Sequence, residues 1–576
     1  MGLLTPPPAP VGAEEWERLG HLERVRVMSE VWAERGAETP IYILLFYVAK
    51  LALYVLGAFL VIAATPGMGG FSDLSEWWSE PVVYQKLIIF TCLIEILGLG
   101  SSTGPLCFKF TVPFAAPLHW ARPGSLRQPP WPKIPGTTGD KRTIFDVLLY
   151  FAIVVIMCAL LAAPAEVSTT ANFELGTVDP RYVIAFVIVI VLIGLRDKVL
   201  FIASRPEIYV LPSAIFLFPV DQAIPGLQVA LAAVWIGAGA SKFTHHFPSV
   251  VTAMTSNAPF RPKFFKRALY RNFPEDLRAG RKAFLLAHVS TAIEIAAPIV
   301  LLTCTNPWAT ALSLGALITL HLVILSHVPL AVPNEWNVFM IAAGVYLFWI
   351  NRDYTVFDIS SPGLVTLLIC GFVVPVVVGS LRPDLVSFAL AMRYYAGNWP
   401  ASLWCFKGDV ISRISPNVVK ASPMVHEQIA KLYDERYAGL LNYKFRAWRS
   451  LHPEGRILNG LLPRALGDID DYEIVDGEII ASALNGWNMG DGHMHNEQLL
   501  RTVQQRCGFE ANELVVIMIE SQPIHRSVHR YRIVDAKLGE IERGTVRVSD
   551  VIDRQPWNAD AVPVALEGPS RGISKK

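Results

Sequence analysis

The feature that most constrains this chain is the recurrence of apolar runs close to twenty residues long. The first, "IYILLFYVAKLALYVLGAFLVIAA", occupies 41–64. About 20 apolar residues coiled as a helix cross roughly 30 Å of hydrocarbon, whereas open strands would leave backbone groups unpaired there. Further runs fall near 82–102, 143–165, 181–203, 207–220, 224–246, 283–304, 308–330, 334–350 and 361–381, the fifth and ninth of the series being short. The expected fold class is an α-helical polytopic membrane protein of about 8–10 transmembrane helices. Composition agrees, with 52% of residues hydrophobic and only 17% charged.

Fifty basic against 49 acidic residues leave a net charge of +1, which argues against a nucleic-acid partner and makes the distribution of charge the informative quantity. With the N-terminus inside, inward segments hold Arg18, Arg24, Arg26 and Arg35, six basic residues in 103–142, Arg196, Lys198 and Arg205, and Lys242 with eight more through Lys282. Outward segments hold Lys86, Arg181 and Arg352. That asymmetry predicts a multi-pass protein of the inner or plasma membrane with both termini cytoplasmic. The first twenty residues lack a basic stretch followed by an apolar core, so no cleavable secretory signal is expected. The seven cysteines form no CxxC, and buried thiols are expected.

The organisation expected is a cytoplasmic segment 1–40, a transmembrane domain 41–382, a cytoplasmic α+β domain 383–565 and a disordered tail 566–576. The α+β character comes from the helical stretch "SPMVHEQIAKLYDERYAGLLNYKFRAWRSL" followed by "ELVVIMIESQ", "VHRYRIVDA" and "GTVRVSDVI". Two inward loops are long. "HWARPGSLRQPPWPKIPGTTGDKRT" reads as a rigid interfacial loop, and "FRPKFFKRALYRNFPEDLRAGRK" as an amphipathic basic segment lying on anionic lipid.

Charges at membrane depth need a partner or a wet cavity, since each costs at least about 2.5 kcal/mol in hydrocarbon. Lys50 and Glu95 reach similar depth in the first two helices and are expected to pair. In "AFLLAHVSTAIEIAAP", His288, Thr291 and Glu294 form a slanting stripe, and the next helix adds His321 near mid-membrane and His327 near its inner end. Lys242, His245 and His246 would share one helix face, behind Gly237, Gly239 and Ala240, which permit close helix approach. A lysine, several histidines and a carboxylate are thus expected to converge in one pocket, where Lys242 is either a snorkelling anchor or a desolvated base.

The order "AVWIGAGASKF", "AHVSTAIEIAAPIVLL", "LITLHLVIL…WNVFMIAAGVYLF" resembles, over 200–350, the HTTM membrane domain of vitamin K-dependent gamma-carboxylase and its bacterial relatives, a DoxX-like group. The resemblance implies that Lys242 is the catalytic base, with Glu294 and His321 as further catalytic residues. It also implies oxidation of a reduced quinone, menaquinol in an actinobacterium. In place of that family's Asn-His-Ser-Tyr segment the chain has "SRPEIYVL", which keeps Tyr209 and puts Glu207 where histidine stands. As a whole the chain resembles an uncharacterised actinobacterial family of transmembrane proteins with a domain of unknown function.

The C-terminal region carries Asp491, His493, His495, His525 and His529. Four imidazoles can hold zinc, but the spacing matches no zinc motif, so these are candidates of last resort beside ordinary polar histidines. Walker and GxGxxG patterns do not occur. Two functions remain. One is a lipid- or quinol-linked oxidoreductase or carboxylase-like enzyme with a lysine base in a membrane pocket. The other is a non-catalytic membrane subunit or transporter accessory whose cytoplasmic domain docks a protein partner.

Overall fold

The computed structural model describes residues 3–5, 7–100, 114–168, 172–327, 334–385, 396–487 and 492–568. Among these, six helices are long and apolar enough to cross a membrane: Ile41–Ala63, Ile144–Ala162, Val220–Ser241, Arg281–Thr303, Pro307–Leu325 and Pro362–Leu381. The other four expected spans are shorter or broken. Pro81–Ile96 has 16 residues. Pro180–Arg196 stops at Asp197, whose extended backbone and side-chain cap on Val199 N–H restart a short helix, Lys198–Ala203. The fifth is a π-helical turn, Pro206–Val210, running into Leu211–Ile215, and the ninth joins Asn334–Val345 to a π-helical turn at Tyr346–Ile350.

Local chemistry sets several starts. Proline occupies the first turn at Pro81, Pro180, Pro307 and Pro362, where its missing N–H costs nothing. Asn306 Oδ1 accepts from the N–H groups of Trp308 and Ala309, and Thr143 and Asp146 form a capping box. At the far end of the Ile144–Ala162 helix, the buried Lys86 ammonium donates to the carbonyls of Leu161 and Ala163, both at 2.7 Å. It covers orphan acceptors at the negative end of the helix dipole. Val220–Ser241 is the central helix, 72% of its apolar window being buried against 22% for Ile41–Ala63.

Beyond the helices lies a six-stranded antiparallel sheet, in the order Ala565–Leu566, Gly539–Arg547, Val528–Asp535, Leu514–Ile519, Ala401–Lys407, Tyr472–Asp476. Two of these strands coincide with expected β-rich runs, while the third run, 544–552, is strand only to Arg547 and turns helical at Ser549–Ile552. Strand Leu514–Ile519, "LVVIMI", is buried at every position because helices cover both sides of the sheet. On one side of Ala401–Lys407, Ser402 and Trp404 bond to His495. On the other, Trp399, just before the strand, meets Trp448 of the Glu435–Leu451 helix. The expected long helix at 422–451 divides at Tyr433, with Asp434 capping the second half. The expected start of the tail at 566 falls inside the last strand, where Leu566 pairs with Gly544.

The polar region is not packed by its own residues alone. Its core includes Trp32 from the His21–Arg35 helix, Leu126 from the first long loop, Ala253 from the Phe247–Asn257 helix, and Tyr270 and Leu277 from the second long loop. Trp32 Nε1–H donates to Ala253 O, Lys444 donates to Ala37 O, Gln128 Nε2 to Met494 O, and Arg271 pairs with Asp553. The N-terminal helix and the described parts of both long loops therefore pack with the polar region. The loop at 260–282 contains a hairpin, Tyr270–Asn272 with Asp276–Ala279, and several of its basic residues pair with Glu34, Asp276 and Asp553, while Phe260 and Phe264 stay exposed.

Cysteines depart from expectation in part. Cys92 and Cys405 are buried, Cys158 and Cys370 are exposed on apolar helices, and Cys107 lies outside the described residues.

Candidate functional site

The Val220–Ser241 helix ends one residue before Lys242, whose N–H donates to Gly239 O. The expectation that Lys242, His245 and His246 share one helical face is corrected by that ending: the chain turns there and restarts at Phe247, with Pro248 in the first turn. The three side chains part. His245 is exposed and His246 turns towards the sheet, while Lys242, only 6% exposed, turns inward to an ion pair with Glu294. The pair forms because the helices touch at Gly239, where an added Cβ would lie 2.7 Å from Ile295 Cγ1 and 3.1 Å from Glu294 Cβ. The ammonium also sits 5.1 Å from the centroid of Phe247.

Beside the pair lies a cavity of about 280 Å3, walled mostly by apolar side chains such as Val234, Val250, Met254 and Met340. Its ionisable lining residues are Lys242, Arg261, Glu294, His321 and His327. Leu286 and Val323, from adjacent helices, line it and remain 42% and 37% exposed, so this wall reaches the outer surface of the helices. His321 is held on both sides: Nε2 accepts from Trp235 Nε1–H at 2.9 Å, and Nδ1 lies 2.9 Å from Asn337 Oδ1. Indole is a donor only, so Nε2 carries no hydrogen and Nδ1–H donates to Asn337. Both nitrogens are committed to the wall.

Of the expected pocket residues, Lys242, Glu294, His321 and His327 come together here. The others do not. His288 packs edge-on against Phe284, and Thr291 Oγ donates to its own helix at Ala287 O. Glu207 and Tyr209 are buried elsewhere, Tyr209 against Phe339. Trp235, Asn337 and Arg261 were not singled out from the sequence. The tryptophan stands in "AVWIGAGASKF", four residues before Gly239, and its contact with His321 is the signal that spacing cannot supply.

The expected Lys50–Glu95 pair is exchanged for two others. Lys50 pairs with Glu335 at 2.8 Å and donates to Gly100 O, while Glu95 takes Arg205 at 3.2 Å. Position along a helix leaves rotation about its axis open. Helix rotation decides which carboxylate faces which cation.

The C-terminal histidines have separate partners rather than a shared centre. His493 Nε2 meets Glu520 Oε2 at 2.8 Å, His495 Nδ1 meets Ser402 Oγ at 2.7 Å, and His525 is exposed. His529 Nδ1–H donates to Glu520 O, which leaves Nε2 to accept from His246 Nε2–H at 2.8 Å. Among the described residues no group of three or more His, Cys, Asp or Glu is arranged for a metal, and Asp491 lies outside them. Burial lowers the pKa of His529 to about 4 and holds that of His246 well below its ordinary value.

A second buried charge cluster lies under the sheet. Arg449 reaches Asp476 at 2.7 Å and Glu454 and Glu478 at 3.1 Å. Burial pushes Glu454 well above the carboxylate range despite Arg449, whereas the nearby guanidinium outweighs burial at Asp476 and lowers it. Trp399 and Trp448 close over the guanidinium, with ring centroids 5.2 and 5.1 Å away.

Comparisons place the whole assembly in one family. The family described as "transmembrane protein of unknown function" (DUF3556) matches residues 1–567, membrane helices and polar region together. No curated protein and no solved structure matches the chain. A match of that extent settles membership: the chain belongs to the DUF3556 family of transmembrane proteins.

Proposed function

We propose that the protein takes a lipid-soluble molecule from the bilayer into the cavity at Lys242 and presents its polar head to the Lys242–Glu294 pair. The observation that carries this reading is a buried ammonium–carboxylate pair lining an apolar cavity whose wall reaches the outer surface of two membrane helices at Leu286 and Val323. A volume of about 280 Å3 admits a ring or head and the start of a tail, the remainder extending into lipid.

The chemistry proposed is proton acceptance. A hydroxyl or acid at the head gives its proton to the Glu294 carboxylate, or to the Lys242 amine once the pair's shared proton has moved to Glu294. Exclusion of bulk water strengthens both interactions. His321 acts as a positioning residue, fixing Trp235 and Asn337 in the wall. A quinol belongs to this class of ligand, and the likeness of 200–350 to the carboxylase membrane domain bears on the reading through Lys242 alone. The alternative of a docking subunit has less support, because the polar region spends its contacts on its own N-terminal helix and loops.

The test is retention of lipid. Wild type purified in native membrane discs should hold a non-bulk lipid-soluble molecule at near-stoichiometric level by mass spectrometry, and Ala238→Phe, which fills the cavity, should lose most of it. Equal retention by both would overturn the proposal. On the same charge asymmetry that read the loops as inward, the sheet side is proposed to be cytoplasmic. Protease should then reach it in inverted but not in right-side-out vesicles.

A further inference from the structure

The charge balance of the cavity specifies its ligand more narrowly. Lys242 and Glu294 cancel. The hydrogen bonds of His321 leave it a neutral tautomer, and His327 is an imidazole whose ordinary form near neutral pH is uncharged. That leaves Arg261. Its guanidinium lines the cavity half-buried, stacks 5.7 Å from the Phe265 ring, and has no carboxylate within ion-pair distance among the described residues. Five of the other seven basic residues of this loop behave differently: Lys263 and Arg267 pair with Glu34, Arg271 with Asp553, Arg278 with Asp276, and Lys266 donates to Ser256 O, while Arg281 and Lys282 are exposed and do not line the cavity.

Position supports the same conclusion. Phe243, Phe260 and Phe264, which flank Lys242 and Arg261 in sequence, are all strongly exposed, Phe260 to 85%. Exposed phenyl rings among basic side chains suit a segment lying at the membrane interface, the rings entering the acyl boundary while the charges stay at headgroup level. Arg261 therefore stands where an anchored lipid carries its polar group, at the rim of a cavity whose deeper wall is apolar. Arginine suits this place because its fork donates to two oxygens of a phosphate or carboxylate at once.

We infer that Arg261 is an anionic-headgroup subsite, and that the molecule entering the cavity is an amphiphile with a phosphate or carboxylate at Arg261 and its apolar part along Val250, Met254, Leu286 and Val323. This inference rests on the proposed function above and narrows its ligand class. An uncharged quinol would satisfy that reading and not this one.

The experiment uses the full chain in nanodiscs of mixed phosphatidylglycerol and phosphatidylcholine, with native mass spectrometry of the retained lipid. Wild type should retain phosphatidylglycerol over phosphatidylcholine by about fivefold relative to the disc, the factor one basic residue contributes beside an anionic lipid. Arg261→Gln should bring the ratio to that of the disc, Arg261→Lys should keep part of the preference, and Lys263→Gln, which removes an exposed charge of the same loop, should leave it unchanged. Excess inorganic phosphate should not displace the lipid, since the tail contributes binding; displacement would show a site for the free anion and overturn the amphiphile. Full preference in Arg261→Gln would overturn the subsite, as would retention of an uncharged molecule by wild type. Wild type that retains no lipid at all would instead remove the underlying cavity reading.

Discussion

Two buried charge clusters in this molecule solve the same electrostatic problem differently. Under the sheet, Arg449 is enclosed by Asp476, Glu478 and Glu454 and capped by Trp399 and Trp448. In the membrane region, Lys242 has Glu294 and one ring, Phe247, and the remaining side is a cavity. A charge packed on every side holds architecture together. One left with room beside it can meet a ligand, and that difference, more than burial or charge, separates a candidate site from a structural cluster.

The largest expected effect breaks the sheet cluster. Arg449→Met leaves the buried acidic groups Asp476, Glu478 and Glu454 without their cation, and a loss of about 5 kcal/mol is expected, enough to unfold the polar region in a thermal or denaturant scan. A loss below about 1 kcal/mol would show that the cluster is not structural. Next is Lys242→Met, which strands Glu294 and should cost about 3 kcal/mol, while Lys242→Met/Glu294→Gln should recover most of it. Recovery in the double variant, together with loss of ligand, separates a pair kept for function from one kept for stability. No recovery would make the two clusters alike.

The junction between the regions sharpens the contrast. His529 and His246 are depressed by burial, so the folded protein binds fewer protons than the unfolded chain once pH drops below the ordinary imidazole value. Stability is therefore full above pH about 6.5 and falls towards pH about 4, by about 2 kcal/mol over the first 1.5 units from His529 alone. The check is hydrogen exchange at the 246–257 segment between neutral pH and pH 5. An acid-induced loosening that survives in His246→Leu/His529→Leu would place its origin elsewhere.

Much of this was legible in the sequence, for identifiable reasons. Membrane helices are local in sequence, so the apolar runs gave their places. Lys242, Glu294 and His321 were expected together because charges in hydrocarbon must find one another. Contacts across long separations were not legible. His246 meets His529 across 283 positions, and Lys50 finds Glu335 rather than Glu95 because helix rotation is a tertiary outcome. The separateness of a 383–565 domain was read from composition. Trp32, Leu126, Tyr270 and Leu277 completing its core is a fact of packing that composition does not contain.

The most direct test is a density map of the full chain in a lipid nanodisc, read at the cavity between Trp235, Leu286 and Glu294. The expected result is tail-shaped non-protein density entering between the Arg281–Thr303 and Pro307–Leu325 helices and ending beside Lys242 and Arg261. A map in which neighbouring side chains fill that space, or in which the Lys242 ammonium points outward to the headgroups, would contradict it.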